Sequence, residues 1–319
     1  MPSVLLFLAC LLCTNLVFAE KAERPKTSTA QTADVIETNS GTKISLTDSH
    51  GKWTFAAPPQ RVAIINWTLT EQILELGVKP VAIADIRGFQ QTAPQTAVPD
   101  GIEDIGSRFA PSLKKLAQAE PELIIIGYSQ RDLLRPLSNI APVMYFNNFS
   151  RRYDNLKKAD ERFLVLAKLF DKTDHAKAKL HSRDQNIKTL KARLQQHFQQ
   201  QLPAITIASP QGSDAWVFLE NSMPYAVAQE LGFTAELSEK PTKLGAHKRR
   251  QQQLHTLDGC ILWLNQASEE KPNQTQPQAE QLGKKNKCHH TLTRTHAYGG
   301  AMSRLYLAQA ISSAFIDSQ

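Results

Sequence analysis

Three side chains with binding chemistry follow predicted strands in the first half of the chain. Trp67 and Tyr128 each come just after a short apolar run, and Arg108 follows Ile105-Gly106. In open α/β sheets, ligands bind outside the carboxyl ends of the strands. The positions of these three residues therefore make them candidates for a binding site.

The chemistry of the three residues suits a small anionic ligand. The Arg108 guanidinium is always charged, and its planar fork matches paired anionic oxygens. The rings of Trp67 and Tyr128 can shield a bound ligand from water, and a phenol adds one hydrogen bond. A surface salt bridge is the alternative for Arg108, and core packing is the alternative for the two aromatic residues.

The chain lacks the common sequence motifs of enzymes. The segment 127–131 begins like a nucleophile elbow but has no closing glycine. Neither a GxGxxG fingerprint nor a P-loop is present. The histidines do not form the spaced ligand set that direct zinc or manganese capture requires. We expect a binding protein with no catalysis, no cofactor and no metal site of its own, and an exported hydrolase is the alternative from another class.

The first 19 residues are predicted to be a secretory signal peptide. Val4–Cys13 is an uninterrupted apolar run, and small residues permit cleavage after Ala19. The run is too short to cross a bilayer, which needs about 20 residues. We expect a soluble exported protein.

The formal net charge is +7, from 37 Lys and Arg against 30 Asp and Glu. Residues 1–19 carry no charge, so the exported chain keeps all of it. Export separates this positive charge from DNA and RNA, and no basic cluster interleaved with aromatic residues supports a nucleic-acid partner. Cys260 and Cys288 are the two cysteines beyond the signal, and they form either a disulfide or two buried free thiols.

Strand and helix patterns alternate in two regions of the chain. After a leader and β-hairpin over residues 20–58, short apolar runs alternate with helices over 59–152, where Thr68–Glu71 reads as a capping box. The alternation returns over 202–319. This pattern predicts parallel-type sheets covered by helices, so the fold class is α/β with two lobes.

Residues 153–201 are helical, with almost no strand pattern. In the second of two helical stretches, apolar residues recur on one stripe: Leu180, Ile187, Leu190, Leu194 and Phe198. An unbroken helix over 173–200 would be about 42 Å long. A single long helix between two α/β regions acts as a strut.

Motifs of the first lobe are similar to those of a known family. They are Asp48–Val62, Thr70–Asp85 and, most specifically, Ile105–Arg108 with Pro111–Leu113 and Pro121–Ile125. The chain resembles the periplasmic binding proteins that deliver ferric siderophores, cobalamin or haem to ABC importers. In the second lobe, Asn221-Ser222 and Tyr298–Ala301 resemble the hydroxamate-siderophore branch.

The resemblance implies two lobes bridged by one long helix, the class III periplasmic-binding-protein arrangement, with the ligand in the cleft between them. It implies a monomer that hands a ferric siderophore to an ABC permease at the inner membrane. Arg108 and Tyr298 match ligand-contacting residues of the family, and Arg87, His247 and Arg249 are further candidates. Haem or cobalamin is the alternative ligand, with Tyr128 or His296 available to haem iron.

Two features depart from the family pattern. Lys114 stands where the family has a glutamate that docks onto the permease, and on the second lobe Glu220 lies one residue before the expected docking position. Leu244, His247 and Arg249, with Arg250, replace an aromatic-rich cleft in the second lobe. We therefore expect a more anionic chelate, of carboxylate or mixed citrate type, beside the hydroxamate alternative.

Overall fold

The computed structural model describes residues 43–147, 155–254, 256–264 and 288–317. The predicted signal peptide lies outside the described residues. Within these ranges, no helix is both long and apolar enough to span a bilayer.

The described chain begins with a β-hairpin that packs on the first lobe. Strands β1 (Ile44–Thr47) and β2 (Lys52–Phe55) pair antiparallel. The Asp48 carboxylate accepts hydrogen bonds from the Gly51 amide at 2.9 Å and from the Tyr145 amide at 2.9 Å. One side chain therefore closes the turn and fixes the hairpin to the sheet behind it.

The first lobe is built on a five-stranded parallel sheet. Its strands are β3 (Val62–Ile64), β4 (Ala82–Ile83), β5 (Glu103–Asp104), β6 (Leu123–Gly127) and β7 (Val143–Phe146). Its helices are α1 (Trp67–Glu75), α2 (Ile86–Thr92), α3 (Leu113–Gln118) and α4 (Leu134–Ser138), the last preceded by a 3-10 turn over Tyr128–Leu133. The strand order is β5-β4-β3-β6-β7. The continuous apolar runs of β3 and β6 reflect burial on both faces.

Helix α1 begins at a different residue from the one the sequence pattern predicts. Asn66 is its N-cap, and the Asn66 side chain accepts from the Leu69 amide at 3.3 Å. The predicted capping box at Thr68–Glu71 is therefore wrong. The Thr68 hydroxyl donates instead to the Tyr298 carbonyl at 2.7 Å, so this residue contacts the second lobe.

Two helices, α5 (Asn155–Leu169) and α6 (Thr173–His197), connect the lobes. The first half of α6 contributes Ala176 to the core of the first lobe, and the second half contributes Ile187 and Leu194 to the core of the second lobe. The helix has 25 residues without a break. The predicted bridging helix is thus confirmed.

The second lobe contains a mixed sheet in the order β11-β9-β8-β12-β13, with β10 beside β8. Its strands are β8 (Ala204–Gln211), β9 (Asp214–Phe218), β10 (Thr234–Ala235), β11 (Ala246–Arg250), β12 (Cys260–Leu264) and β13 (His289–Leu292). The pairs β8–β9 and β9–β11 are antiparallel, so the expectation of a parallel-type sheet is only partly right here. Two residues, Gly212 and Ser213, separate β8 from β9, and Gly212 has a φ of 58°. So short a connection permits a hairpin but not a parallel crossover.

The second sheet is covered by helices α7 (Met223–Leu231), α8 (Gln251–Leu254) and α9 (Ser303–Ile316). Cys260 and Cys288 form a disulfide with their Cα atoms 4.6 Å apart. Of the two arrangements that the sequence left open, the structure therefore contains the covalent one. The bond joins the start of β12 to the residue before β13.

The residues around the start of α9 form a group of polar contacts with Glu71 on α1 of the first lobe, which we call the Glu71 clasp. The buried Glu71 carboxylate accepts hydrogen bonds from the Gly300 amide at 3.0 Å and from the Ser303 hydroxyl at 2.7 Å, and it lies 2.9 Å from His296 Nδ1. A Cβ atom at Gly299 would lie 1.8 Å from Ser303 Oγ, so the clasp needs glycine there. The contact ties the lobes together on the side of the bridging helix.

Candidate functional site

Trp67 and Arg108 come together at the carboxyl edge of the first sheet. The Arg108 Cζ atom lies 3.4 Å from the centroid of the Trp67 ring. The Trp67 indole N–H donates to the Ala84 carbonyl at 3.0 Å, and its ring packs edge-on against Phe89. Trp67 is only 5% exposed, so it is a core residue that also supports the guanidinium.

Phe109 supplies open aromatic surface next to this pair. Its ring centroid lies 5.2 Å from Arg108 Cζ, and the residue is 53% exposed. It follows Arg108 in the loop between β5 and α3. The exposed aromatic wall of the first lobe therefore includes Phe109, which the sequence analysis did not single out.

Tyr128 lies at the same sheet edge as Trp67, because β3 and β6 are paired in parallel. Arg131 Nη1 donates to the Tyr128 hydroxyl at 3.2 Å. From the second lobe, Lys243 Nζ lies 3.2 Å from the centroid of the Tyr128 ring. The hydrogen bond from Lys243 and the positive charges of Arg131 and Lys243 lower the pKa of Tyr128 below its usual value. Tyr128 is thus the point where the walls of the cleft meet.

The second lobe contributes a cavity of 370 Å³. This volume lies within the range of small-molecule sites. Its lining is mainly apolar and aromatic: Ser209, Trp216, Phe218, Thr242, Lys243, Leu244, Ala246 and Tyr298. The expectation of a cleft poor in aromatic residues is therefore wrong.

Tyr298 is brought into this cavity as the resemblance implies. Its ring centroid lies 6.0 Å from that of Phe218. Burial raises the pKa of Tyr298 to about 12. Its phenol is therefore neutral at physiological pH and can donate a hydrogen bond.

His247 and Arg249 do not face the cavity. On β11 they alternate with Ala246, which lines it, and both contact Glu239: His247 Nδ1 at 2.6 Å and Arg249 Nε at 2.9 Å. Although partial burial acts to raise it, the pKa of the Glu239 carboxyl lies below its usual value because Arg249 and His247 bind it. The structure thus places these two predicted site residues in an ion-pair cluster on the other face of the strand.

Lys248 and Arg250 share the strand face that looks toward Trp216, since the register sets Lys248 opposite Trp216. Both are engaged by one carboxylate. Lys248 Nζ lies 3.6 Å and Arg250 Nε 3.5 Å from the Asp214 carboxylate. One carboxylate therefore offsets part of the positive charge on this face of the strand pair.

His296 is not presented to a ligand. It is 6% exposed, and its Nδ1 lies in the Glu71 clasp. His296 is therefore placed in a buried contact between the lobes, and its candidate role as a haem ligand stays a prediction. Among the described residues, no group of three or more His, Cys, Asp or Glu side chains could hold a metal ion.

The remaining predicted residues lie on the surface. Arg87 is exposed at the start of α2, after β4. Lys114 is exposed on α3 of the first lobe, and Glu220 is exposed just before α7 of the second. Ligand contact by Arg87 and permease docking through Glu220 stay predictions.

Exposed large apolar side chains of the described residues gather near the cleft. Trp216 and Leu244 line the cavity, and Phe109 contacts Arg108. The fourth such residue, Leu113, begins α3. One sequence feature indicates this surface. Trp216 and Phe218 are two residues apart on a strand, so both side chains point to the same face.

The sequence matches the profile of a family described as periplasmic binding protein over residues 62–255. The chain is 26% identical over 177 residues to the iron(3+)-hydroxamate-binding protein FhuD of Escherichia coli, covering 56% of this chain and 59% of FhuD. It is 30% identical over 115 residues to the Fe(3+) dicitrate-binding periplasmic protein FecB of the same organism, covering 35% of this chain and 38% of FecB. It spans about half the length of the curated relatives it matches.

A solved structure resembles the chain over a larger share of its length. It is that of the siderophore-binding protein FhuD from Vibrio cholerae with Fe3+-Desferal bound. The TM-score is 0.73 at 34% sequence identity, covering 80% of this chain and 97% of the other. The two-lobed α/β architecture is therefore shared across nearly the whole of that protein.

Proposed function

The chain belongs to the periplasmic binding protein family, and we propose that it captures a ferric siderophore in the cleft between its lobes and delivers it to an inner-membrane ABC permease for iron uptake. The family consists of binding proteins. In this proposal the chain works in the periplasm after removal of residues 1–19, acts as a monomer and has no catalytic step.

The observation that carries the proposal is the combination of Arg108 with an aromatic cavity across the cleft. A ferric siderophore presents iron-chelating oxygens that bear negative charge, on an organic scaffold that is largely apolar. The guanidinium of Arg108 suits the oxygens. Trp216, Phe218 and Tyr298 suit the scaffold because aromatic walls exclude water from it.

The relatives support oxygen-donor chelates as the ligand class. One binds iron(3+)-hydroxamate and another Fe(3+) dicitrate, and the solved structure holds Fe3+-Desferal. Hydroxamates and carboxylates share anionic oxygen donors for iron. We therefore infer a hydroxamate or carboxylate ferric siderophore.

Substitution of Arg108 tests the proposal at its main contact. Arg108→Ala is expected to weaken the best ferric siderophore at least about tenfold, since a hydrogen bond to a charged group is worth roughly 1.5–3 kcal/mol. Affinity is measured by quenching of tryptophan fluorescence, because Trp216 lines the cavity and Trp67 contacts Arg108.

Arg193→Ala is the matched control, because Arg193 is exposed on α6 away from the cleft. This variant is expected to bind like the wild type. An Arg108→Ala protein with wild-type affinity would remove Arg108 from the site and leave the proposal without its main contact.

A further inference from the structure

We propose that Lys243 determines specificity in this site, so that ferric chelates with negative charge are preferred over otherwise identical neutral or cationic ones. The inference rests on the proposed function, because it requires a ferric chelate in the cleft. Lys243 lies between α7 and β11, and it lines the cavity together with Trp216 and Tyr298. It is part of the second-lobe wall of the cleft, and it is not among the site residues predicted from the sequence.

Lys243 reaches across the cleft to the first lobe. Its Nζ lies 3.2 Å from the centroid of the Tyr128 ring. A cation over an exposed aromatic face is held only weakly. The ammonium can therefore turn from the ring to an anionic ligand oxygen without breaking an ion pair.

The basic side chains of the neighbouring strand β11 already have carboxylate partners. Two of them contact Glu239 and two contact Asp214. In the ranges that the structure describes, Lys243 takes part in no ion pair. Lys243 is therefore the cavity-lining cation whose charge the described carboxylates leave uncompensated.

A second cation stands on the first-lobe side of the cleft. Arg108 lies over the Trp67 ring as Lys243 lies over the Tyr128 ring. Trp67 and Tyr128 follow paired parallel strands, so both cations lie at one edge of the sheet. Between apolar walls, Coulomb attraction to these cations is stronger than in bulk water. The pair therefore discriminates by ligand charge as well as by shape.

The experiment uses the full chain and three ferric trihydroxamates that differ only in one terminal group. The first carries a free amine and is cationic, the second is capped with acetyl and is neutral, and the third is capped with succinyl and is anionic. Dissociation constants are measured by tryptophan fluorescence at one fixed salt concentration, because salt screens charge. The wild type is expected to bind the anionic chelate about tenfold more tightly than the cationic one.

The Lys243→Gln variant is expected to lose most of this preference. It should weaken the anionic chelate about tenfold and leave the cationic chelate unchanged or slightly tighter. Lys243→Arg should retain the preference, because the positive charge stays. Lys240→Gln is the matched control: it removes the same charge from an exposed position of the same loop that does not line the cavity.

Any of the following outcomes would overturn the inference. Equal changes for all three chelates in Lys243→Gln would make Lys243 a structural residue, and no change would remove it from the site. A wild type that binds the three chelates equally contradicts this inference but leaves the proposed function intact. A wild type that binds no ferric chelate contradicts both.

Discussion

At the residue scale, two tyrosines of the cleft stand in opposite electrostatic environments. Lys243 and Arg131 lower the pKa of Tyr128, whereas burial raises that of Tyr298 to about 12. A phenol with a lowered pKa loses its proton at a lower pH than free tyrosine does, and one with a raised pKa keeps it longer. The two phenols are therefore expected to lose their protons at different pH values in an alkaline titration.

We expect Tyr128 to account for an early step when tyrosinate absorbance is followed against pH. Tyr128→Phe should remove that step, and Tyr298→Phe should leave the curve unchanged below about pH 11. Lys243→Gln should shift the early step to higher pH, because its hydrogen bond is the main cause of the lowered value. Persistence of the early step in Tyr128→Phe would contradict this assignment.

The sequence predicted the positions of Arg108 and Tyr128 in the fold better than it predicted which second-lobe residues line the cavity. Parallel strands all end at one edge, whatever the details of packing, so the residues that follow them lie together. The position of Lys243 was not predictable, since it depends on a contact across the cleft to a residue 115 positions away in the sequence. Such a contact leaves no local pattern.

At the element scale, the alternation of side chains along a strand determines which of them reach the cavity. On β11, His247 and Arg249 are basic residues near the cleft in sequence, but alternation along the strand turns them away from it. The register of β11 against β9 places Ala246 and Lys248 opposite Phe218 and Trp216, so these residues share one face of the sheet.

The mistaken capping box shows how a tertiary contact can imitate a local motif. The carboxylate of Glu71 has the spacing of a capping residue but accepts from Gly300 and Ser303, more than 200 positions away. A buried carboxylate needs hydrogen-bond donors, and at Glu71 these donors come from the second lobe. The clasp is therefore an element-scale contact between α1 and α9.

Removing the Glu71 carboxylate should destabilise the protein markedly. Glu71→Ala leaves buried donors unsatisfied, and we expect a loss of about 3 kcal/mol in the free energy of unfolding, measured by urea denaturation. Glu103→Ala is the control, because Glu103 makes a half-exposed salt bridge with Lys115 and should cost less than about 1 kcal/mol. Equal losses in the two variants would show that the clasp contributes no more than a surface pair.

At the scale of the whole molecule, the lobes are joined by more than one connection. Helix α6 contributes to both cores, and the clasp between α1 and α9 adds polar contacts beside it. A continuous helix has no loop to act as a wide hinge. We therefore expect ligand binding to move the lobes only modestly, with side chains such as Lys243 doing most of the adjustment.

The net charge of +7 describes the whole chain, and the structure shows where part of it acts. Several cations of the second lobe are paired with Glu239 or Asp214, whereas Arg108 and Lys243 stand at the cleft. Composition alone could not show which of the cations lie at the cleft. The arrangement fits a small anionic ligand.

A titration of the wild-type protein tests whether the cleft binds a ferric siderophore. The purified protein is titrated with a ferric trihydroxamate, ferric dicitrate, hemin and cobalamin, following tryptophan fluorescence and, for hemin, the Soret band. We predict saturable one-to-one binding of at least one of the two ferric chelates, with no sharp Soret shift. A sharp Soret shift or saturable cobalamin binding, together with no response to either ferric chelate, would contradict the account.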